Sequence, residues 1–248
     1  MLETTLLSRI NLPTQIYQLL KQRIVTNQFS FGIKLTEDHL AKELGVSRTP
    51  VREAFNRLVQ DGLVTVSPGR GAFVATFSSH DIVEFLEVRE ALEGMATHLA
   101  SSRVTRETLQ RLRSHLEAGM AERERNGYTG YLEADREFHE AITFACGNRH
   151  LSQLMGSLRD RIQMLRHRSV ILPGRAMKSF QEHLGVIEAL LHQDPDLAEE
   201  RMRTHIRNVK AAFITTMSEH HNNPEPELVA VGPNLMDSKK RNRGNHAP

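Results

Sequence analysis

The chain has 248 residues, enough for one large domain or two modest ones, with a formal net charge of +2 at pH 7 and a single cysteine. One cysteine excludes an intrachain disulfide framework and suits a reducing cytoplasm. No apolar run approaches the ~20 residues of a membrane helix and the N-terminus lacks a secretory-signal layout, so a cytoplasmic protein with no membrane partner is expected.

Tryptophan is absent and aromatics make up 5% of the chain, which argues against a stacking platform for single-stranded nucleic acid. The mild overall charge conceals a local one. Lys21, Arg23, Lys42, Arg48, Arg52, Arg57 and Arg70 all stand in the first third, a patch that supplies salt-dependent attraction to phosphates.

In chain order, Ile16, Leu19, Leu20 and Ile24 recur at helical spacing and predict a first helix. Thr36 is placed to cap a second, with Leu40, Ala41 and Leu44 on one side and Gly45 as its left-handed stop. Ser47 is placed to cap a third, Pro50 falls in its first turn, and Asp61-Gly62 ends it. That third helix is two-faced. Val51, Phe55, Leu58 and Val59 form an apolar back, and Arg48, Thr49, Arg52 and Asn56 fall on the opposite face.

Such a helix can lie in a DNA major groove, because Arg pairs with guanine O6 and N7, Asn pairs with adenine, and Thr reaches a base or a phosphate. Leu63–Val66 and Ala72–Ala75 read as short strands around the turn Ser67-Pro68-Gly69-Arg70-Gly71, a hairpin wing whose Arg70 can reach phosphate or the minor groove. The candidate DNA contacts are therefore Ser47, Arg48, Thr49, Arg52 and Asn56, with Gly69 and Arg70 at the wing tip. Double-stranded operator DNA is the expected partner.

After Phe77 strand signals vanish. Helices are predicted from Ser79 through Leu99, from Thr105 to the break at Asn126-Gly127, and over about 129–145, 150–170 and 177–193; a last one runs from the Asp194-Pro195 start to about Ser218. Six amphipathic helices with short joints make an antiparallel bundle. The fold class is mainly α: a winged helix-turn-helix over 1–77, an all-helical domain over 78–221, and a basic tail over 222–248 that is expected to be disordered.

Within the bundle, Asp135 and His139 are four apart on one helix and point to one spot. His183 lies in the stripe with Phe180, Leu184, Ile187 and Leu191, and His205 in the stripe with Met202, Ile206, Val209 and Phe213. A single inward histidine is usually a hydrogen-bonded core residue. Three with an aspartate point to a metal, and imidazole with carboxylate suits Zn, Ni, Mn or Fe(II). Arg89 falls on a buried stripe with Glu93 one turn on; its anionic partner is either a bundle carboxylate or the carboxylate of a small effector. Arg161, at the border of an apolar face, is a second effector candidate.

The stretch LAKELGVSRTPVREAFNRLVQDGLV followed by PGRGAFV resembles the winged-helix signature of the GntR family of bacterial transcription regulators over roughly residues 10–77. Many members carry Arg two residues after the cap of the second helix, where it contacts DNA. Here that position is Asp38, and the contact is not carried over. DREFH, EHLGVIEAL and AEERMRTHI resemble the FCD effector domain of the FadR-like branch over roughly 79–218.

The resemblance implies that Asp135, His139, His183 and His205 hold a divalent metal whose coordination a small organic or sugar acid completes. It also implies that the protein is a homodimer on a pseudo-palindromic operator. The competing readings are a metal sensor, in which the ion is the signal, and a metalloenzyme carrying a DNA-binding appendage. No sequence pattern assigns the general base and oxyanion stabiliser that the enzyme would need.

Overall fold

The computed structural model describes residues 12–222, with side chains described as far as Ser218. The proposed tail over 222–248 lies outside the described residues, apart from Asn222 at the end of the last helix. The chain divides into two compact units, with the division falling between Ala75 and Thr76.

In the N-terminal unit, α1 (Leu12–Val25) is followed by β1 (Lys34–Leu35), α2 (Glu37–Leu44), α3 (Arg48–Gln60), β2 (Val64–Ser67) and β3 (Gly71–Val74). Thr36 caps α2 by accepting from the His39 amide, and Gly45 ends it at φ 67°, a conformation that only glycine adopts without steric cost. The tight turn then launches α3 from Ser47, which holds the cap position although its side chain makes no capping bond.

Val51, Ala54, Phe55 and Leu58 bury the back of α3 against Ile16, Leu20 and Ile24 of α1. Val59, expected on that back, is 37% exposed, because the buried stripe runs one position earlier, through Ala54. A cation–π contact fixes the same packing, with the Arg57 guanidinium 4.0 Å from the Tyr17 ring and donating to Thr14 Oγ1 at 3.1 Å. Arg57 therefore serves packing as well as charge.

The wing is a three-stranded antiparallel sheet of order β1-β3-β2, in which Leu35 faces Ala72 and Lys34 faces Phe73. The hairpin of β2 and β3 is as expected. The strand β1 that completes the sheet was not anticipated, since two residues are too short to display an alternating pattern.

The second unit is helical: α4 (Ser79–Ala100), α5 (Arg106–Ala121), the single turn α6 (Arg123–Asn126), α7 (Thr129–Ala145), α8 (Arg149–Ser169), α9 (Arg175–Leu191) and α10 (Pro195–Asn222). The six long helices are those read from the periodicity, but the second ends at Ala121, short of the expected break at Asn126-Gly127; the chain turns at Glu122, and α6 is the separate turn that Gly127 then ends. A capping box starts α4, with the Ser78 amide donating to Asp81 at 2.9 Å and the Asp81 amide donating to Ser78 Oγ at 3.1 Å.

Helices α4 and α10 pack along one another, α9 lies on α10 and α5, and α7 lies on α4 and α5. One core, containing Leu86, Leu112, Leu116, Phe138, Ile187 and Ile206, joins them. A second cluster of Ala96, Cys146, Leu151, Met155 and Ile162 seats α8.

Position 119 sets how closely α5 and α7 approach. A Cβ on Gly119 would lie 2.7 Å from the Gly130 backbone, nearer than backbone atoms tolerate. Since α7 carries Asp135 and His139, this crossing also positions the site described next. Gly119→Ala is expected to destabilise the protein by about 1–3 kcal/mol through backbone displacement, read as a lowered thermal midpoint. An unchanged midpoint would show that the approach is not tight.

Candidate metal centre and nucleic-acid interface

Five helices contribute side chains to one buried cluster. Arg89 and Glu93 come from α4, Asp135 and His139 from α7, Arg166 from α8, His183 from α9 and His205 from α10, all at most 7% exposed. The imidazoles meet tip to tip. His139 Nε2 and His183 Nε2 are 3.2 Å apart, and His183 Nε2 and His205 Nε2 are also 3.2 Å apart. Asp135 Oδ1 lies 3.5 Å from His183 Nε2 and 3.9 Å from His139 Nε2. The structure thus brings together all four residues singled out for a metal.

The opposite nitrogens of the rings are held from behind. His139 Nδ1 sits 2.5 Å from Glu93 Oε2, His205 Nδ1 2.7 Å from Glu182 Oε2, and His183 Nδ1 3.3 Å from the Tyr131 hydroxyl. An ionised carboxylate only accepts, so the proton of His139 and of His205 belongs on Nδ1, and each Nε2 presents a lone pair. Burial, the largest influence, lowers all three imidazole pKa values, that of His139 to about 4 despite the Glu93 charge. The rings are therefore neutral at pH 7.

His183 Nε2 stands between two such lone pairs and can donate a proton to one at most. Lone pairs converging from three sides call for a cation. Nitrogens bonded to one ion at about 2.0–2.1 Å lie about 3–3.4 Å from each other, which is the spacing of the His139–His183 and His183–His205 pairs. His139, His183 and His205, with Asp135 beside them, fit a divalent metal with borderline-soft preference.

Around this centre the charges balance. Arg89 Nε donates to Glu93 Oε1 at 2.6 Å, Arg166 Nε lies 3.1 Å from Asp135 Oδ2, and Arg175 is ion-paired with Glu182. Burial pushes the Glu93 carboxyl up, but Arg89, His139 and Arg166 hold it well below the ordinary range.

The bundle carboxylate is therefore the partner that the structure gives Arg89. Arg161 lies exposed on α8, away from the cluster. The arginine that enters from α8 is Arg166, five residues on, which the sequence reading passed over. Its signal was available: Ile162 and Leu165 are buried beside it, so it shares their stripe.

A cleft of about 590 Å³, counting its open mouth, runs between α7 and α8 and reaches His139 and Arg166 at its inner end.

In the N-terminal unit, Ser47, Arg48, Thr49, Arg52 and Asn56 are all exposed on α3, and Gly69 and Arg70 are exposed at the wing tip. Gly69 takes φ 72° and the Arg70 amide donates to Ser67 O at 3.0 Å, closing the turn. Arg48 is ion-paired with Asp38 of α2. The residue that departs from the GntR pattern thus touches a base-reading candidate on the neighbouring helix.

The groups behind the imidazoles generate a prediction. Tyr131→Phe and Glu182→Gln are each expected to weaken Zn²⁺ or Ni²⁺ affinity by roughly 10- to 100-fold, measured by competition with a chromophoric chelator. Unchanged affinity in both variants would show that the Nδ1 partners do not orient the rings.

Residues 12–74 match the family of bacterial regulatory proteins, gntR family, and residues 84–208 match the FCD domain. An HTH-type transcriptional regulator from the TAR-I ttuE-ttuC' intergenic region of Agrobacterium vitis is 41% identical over 52% of this chain and 77% of its own length. The HTH-type transcriptional repressor RspR of Escherichia coli is 27% identical over 79% of this chain and 86% of its own length. The solved structure of McbR/YncC from E. coli shares the fold, with a TM-score of 0.69 and 24% identity over 83% of this chain and 98% of that one. No described helix is long and apolar enough to cross a membrane. The chain belongs to the GntR family of transcription regulators, with an FCD domain following its DNA-binding winged helix.

Proposed function

We propose that this protein is a cytoplasmic, homodimeric regulator whose DNA binding responds to a small carboxylate held at a metal in the helical domain. The observation that carries this reading is the convergence of three Nε2 atoms whose Nδ1 atoms are already engaged. His139, His183, His205 and Asp135 would hold a divalent ion, and the ion would supply a Lewis-acidic anchor for a ligand carboxylate.

Charge supports an anionic effector. Arg89, Arg166 and Arg175 are matched by Glu93, Asp135 and Glu182, so a divalent ion adds buried positive charge that the surrounding side chains do not offset. A carboxylate entering from the α7–α8 cleft offsets it. Arg166, which reaches that cleft, is the guanidinium we assign to the effector's head, with Arg89 behind it holding Glu93 in place. A cleft leading to the centre favours this reading over one in which the ion alone is the signal.

At the other end of the chain, Arg48, Thr49, Arg52 and Asn56 would read operator bases in the major groove. Ser47, Gly69 and Arg70 would meet phosphates or the minor groove. The effector acts by binding better to one arrangement of the dimer, shifting the population that matches both half-sites. The similarity to RspR supports regulation by repression.

Two measurements test the proposal. Elemental analysis is expected to find about one divalent ion per chain, lost in His139→Ala, His183→Ala and His205→Ala; equal content in all three variants would refute the site. Arg52→Ala and Arg48→Ala are each expected to weaken specific operator binding by about 1–3 kcal/mol in a binding assay at fixed salt. Arg70→Ala should weaken operator and unrelated DNA alike. Undiminished operator affinity in folded Arg52→Ala would remove α3 from the groove.

A further inference from the structure

The cleft between α7 and α8 has a polar inner end and apolar walls. Inside stand His139 and Arg166; Phe144, Met155, Gly156 and Ile162 form the walls; Glu140 and Arg159 sit at the mouth, paired with each other at 3.5 Å. The hydroxyls along the cleft give their protons to backbone carbonyls. Thr143 donates to His139 O at 2.9 Å, and Ser152 donates to Thr143 O at 3.2 Å. Phe144, at the rim, is 89% exposed, unusual for a side chain whose burial is favourable.

From this lining we infer that the effector is a carboxylate with a short apolar body and not a sugar acid. The inference rests on the metal-and-carboxylate reading above and narrows it. The carboxylate lies at the inner end, where Arg166 keeps guanidinium N–H groups beyond those facing Asp135 and Glu93. The body lies against Met155 and Ile162, beneath Phe144. A polyhydroxylated acid in the same place buries hydroxyls against methyl, thioether and ring surfaces, with the neighbouring Ser and Thr protons already given to backbone carbonyls. The Thr143 and Ser152 oxygens can still accept, but they serve only part of such a set, and the hydroxyls facing Met155, Ile162 and Phe144 lose their water without a replacement bond. An alkyl or aryl body loses nothing of the kind and gains from burial.

Gly156 supplies the room. It lies inside α8, and a Cβ added there meets no atom within 4 Å, so a larger side chain fits at this wall without strain and would take up space in the cleft.

Calorimetry on the full-length, metal-loaded protein tests the assignment with acetate, butyrate, hexanoate, benzoate and gluconate as probes. Affinity is expected to rise by up to about fourfold for each methylene that is buried, and gluconate is expected to bind at least tenfold more weakly than hexanoate, a margin of about 1.4 kcal/mol. Gly156→Leu should keep its metal and its acetate binding but lose the gain with chain length. Phe144→Ser, altered at an exposed position, should lose part of it.

Gluconate binding as tightly as hexanoate, or a wild-type affinity that is flat with chain length, would overturn the inference and leave the metal-and-carboxylate reading standing. If none of these carboxylates distinguishes metal-loaded from metal-free protein, that reading falls too, and the inference with it.

Discussion

Three imidazoles facing one another through Nε2 set the terms for the helical domain. Neutral rings in this orientation can satisfy at most one of their two Nε2 contacts with a proton, and each ring is pinned by a group behind it: Glu93 on α4, Tyr131 on α7 and Glu182 on α9. The arrangement therefore fixes the rotation of α4, α7, α9 and α10 about their own axes as well as their separation. Helix rotation is otherwise set only by broad apolar stripes, which tolerate some slippage. Here a slip of one residue on α7 would carry His139 away from Glu93 and from His183 together. The close approach at Gly119 and Gly130 belongs to the same constraint, because it determines how far α7 can lean toward the centre.

The charges around the centre explain how so polar a core is held. Arg89, Glu93, Asp135 and Arg166 are all nearly fully buried, an expensive state for any one of them alone. Paired, they form a neutral shell with little electrostatic slack. A divalent ion added to that shell raises its charge, and the α7–α8 cleft is where an anion can answer it. Under the proposed function, metal, effector and helix packing would thereby be coupled by electrostatics in one place, a physical basis for ligand control. The base-reading candidates on α3 have the opposite character: they are exposed, and Arg48 is ion-paired with Asp38. An exposed ion pair is weak in water and exchanges readily for a base or a phosphate.

Much of this was legible in the sequence, for identifiable reasons. Long helices announce themselves by period, so the bounds expected for the helix carrying Asp135 and His139 coincide with those of α7. Caps made of Thr36, Gly45 and Asp194-Pro195 are local and could be read without the fold. The four metal candidates were visible because each sits in an apolar stripe. Less visible were features that depend on where a helix turns in space. Arg166 shares the stripe of Ile162 and Leu165, but only the packing of α8 on α7 shows that it reaches Asp135, whereas Arg161 faces outward. Strand β1 has two residues and exists only because β3 lies beside it. Glu182 and Tyr131 look like ordinary surface and core residues until the histidines they face are placed. The pair Asp38–Arg48 joins two helices across a turn, and no periodicity records it.

In this arrangement His139 and His205 carry their protons on Nδ1 and present Nε2 to a common point. Nitrogen-15 NMR of histidine-labelled protein, before and after one equivalent of Zn²⁺, tests this directly. Nδ1–H tautomers are expected for both rings in the metal-free protein, with an Nε2 resonance on each of the three buried histidines that moves on addition of the ion. Protonated Nε2 atoms on His139 and His205, or Nε2 resonances that do not respond to Zn²⁺, would contradict it.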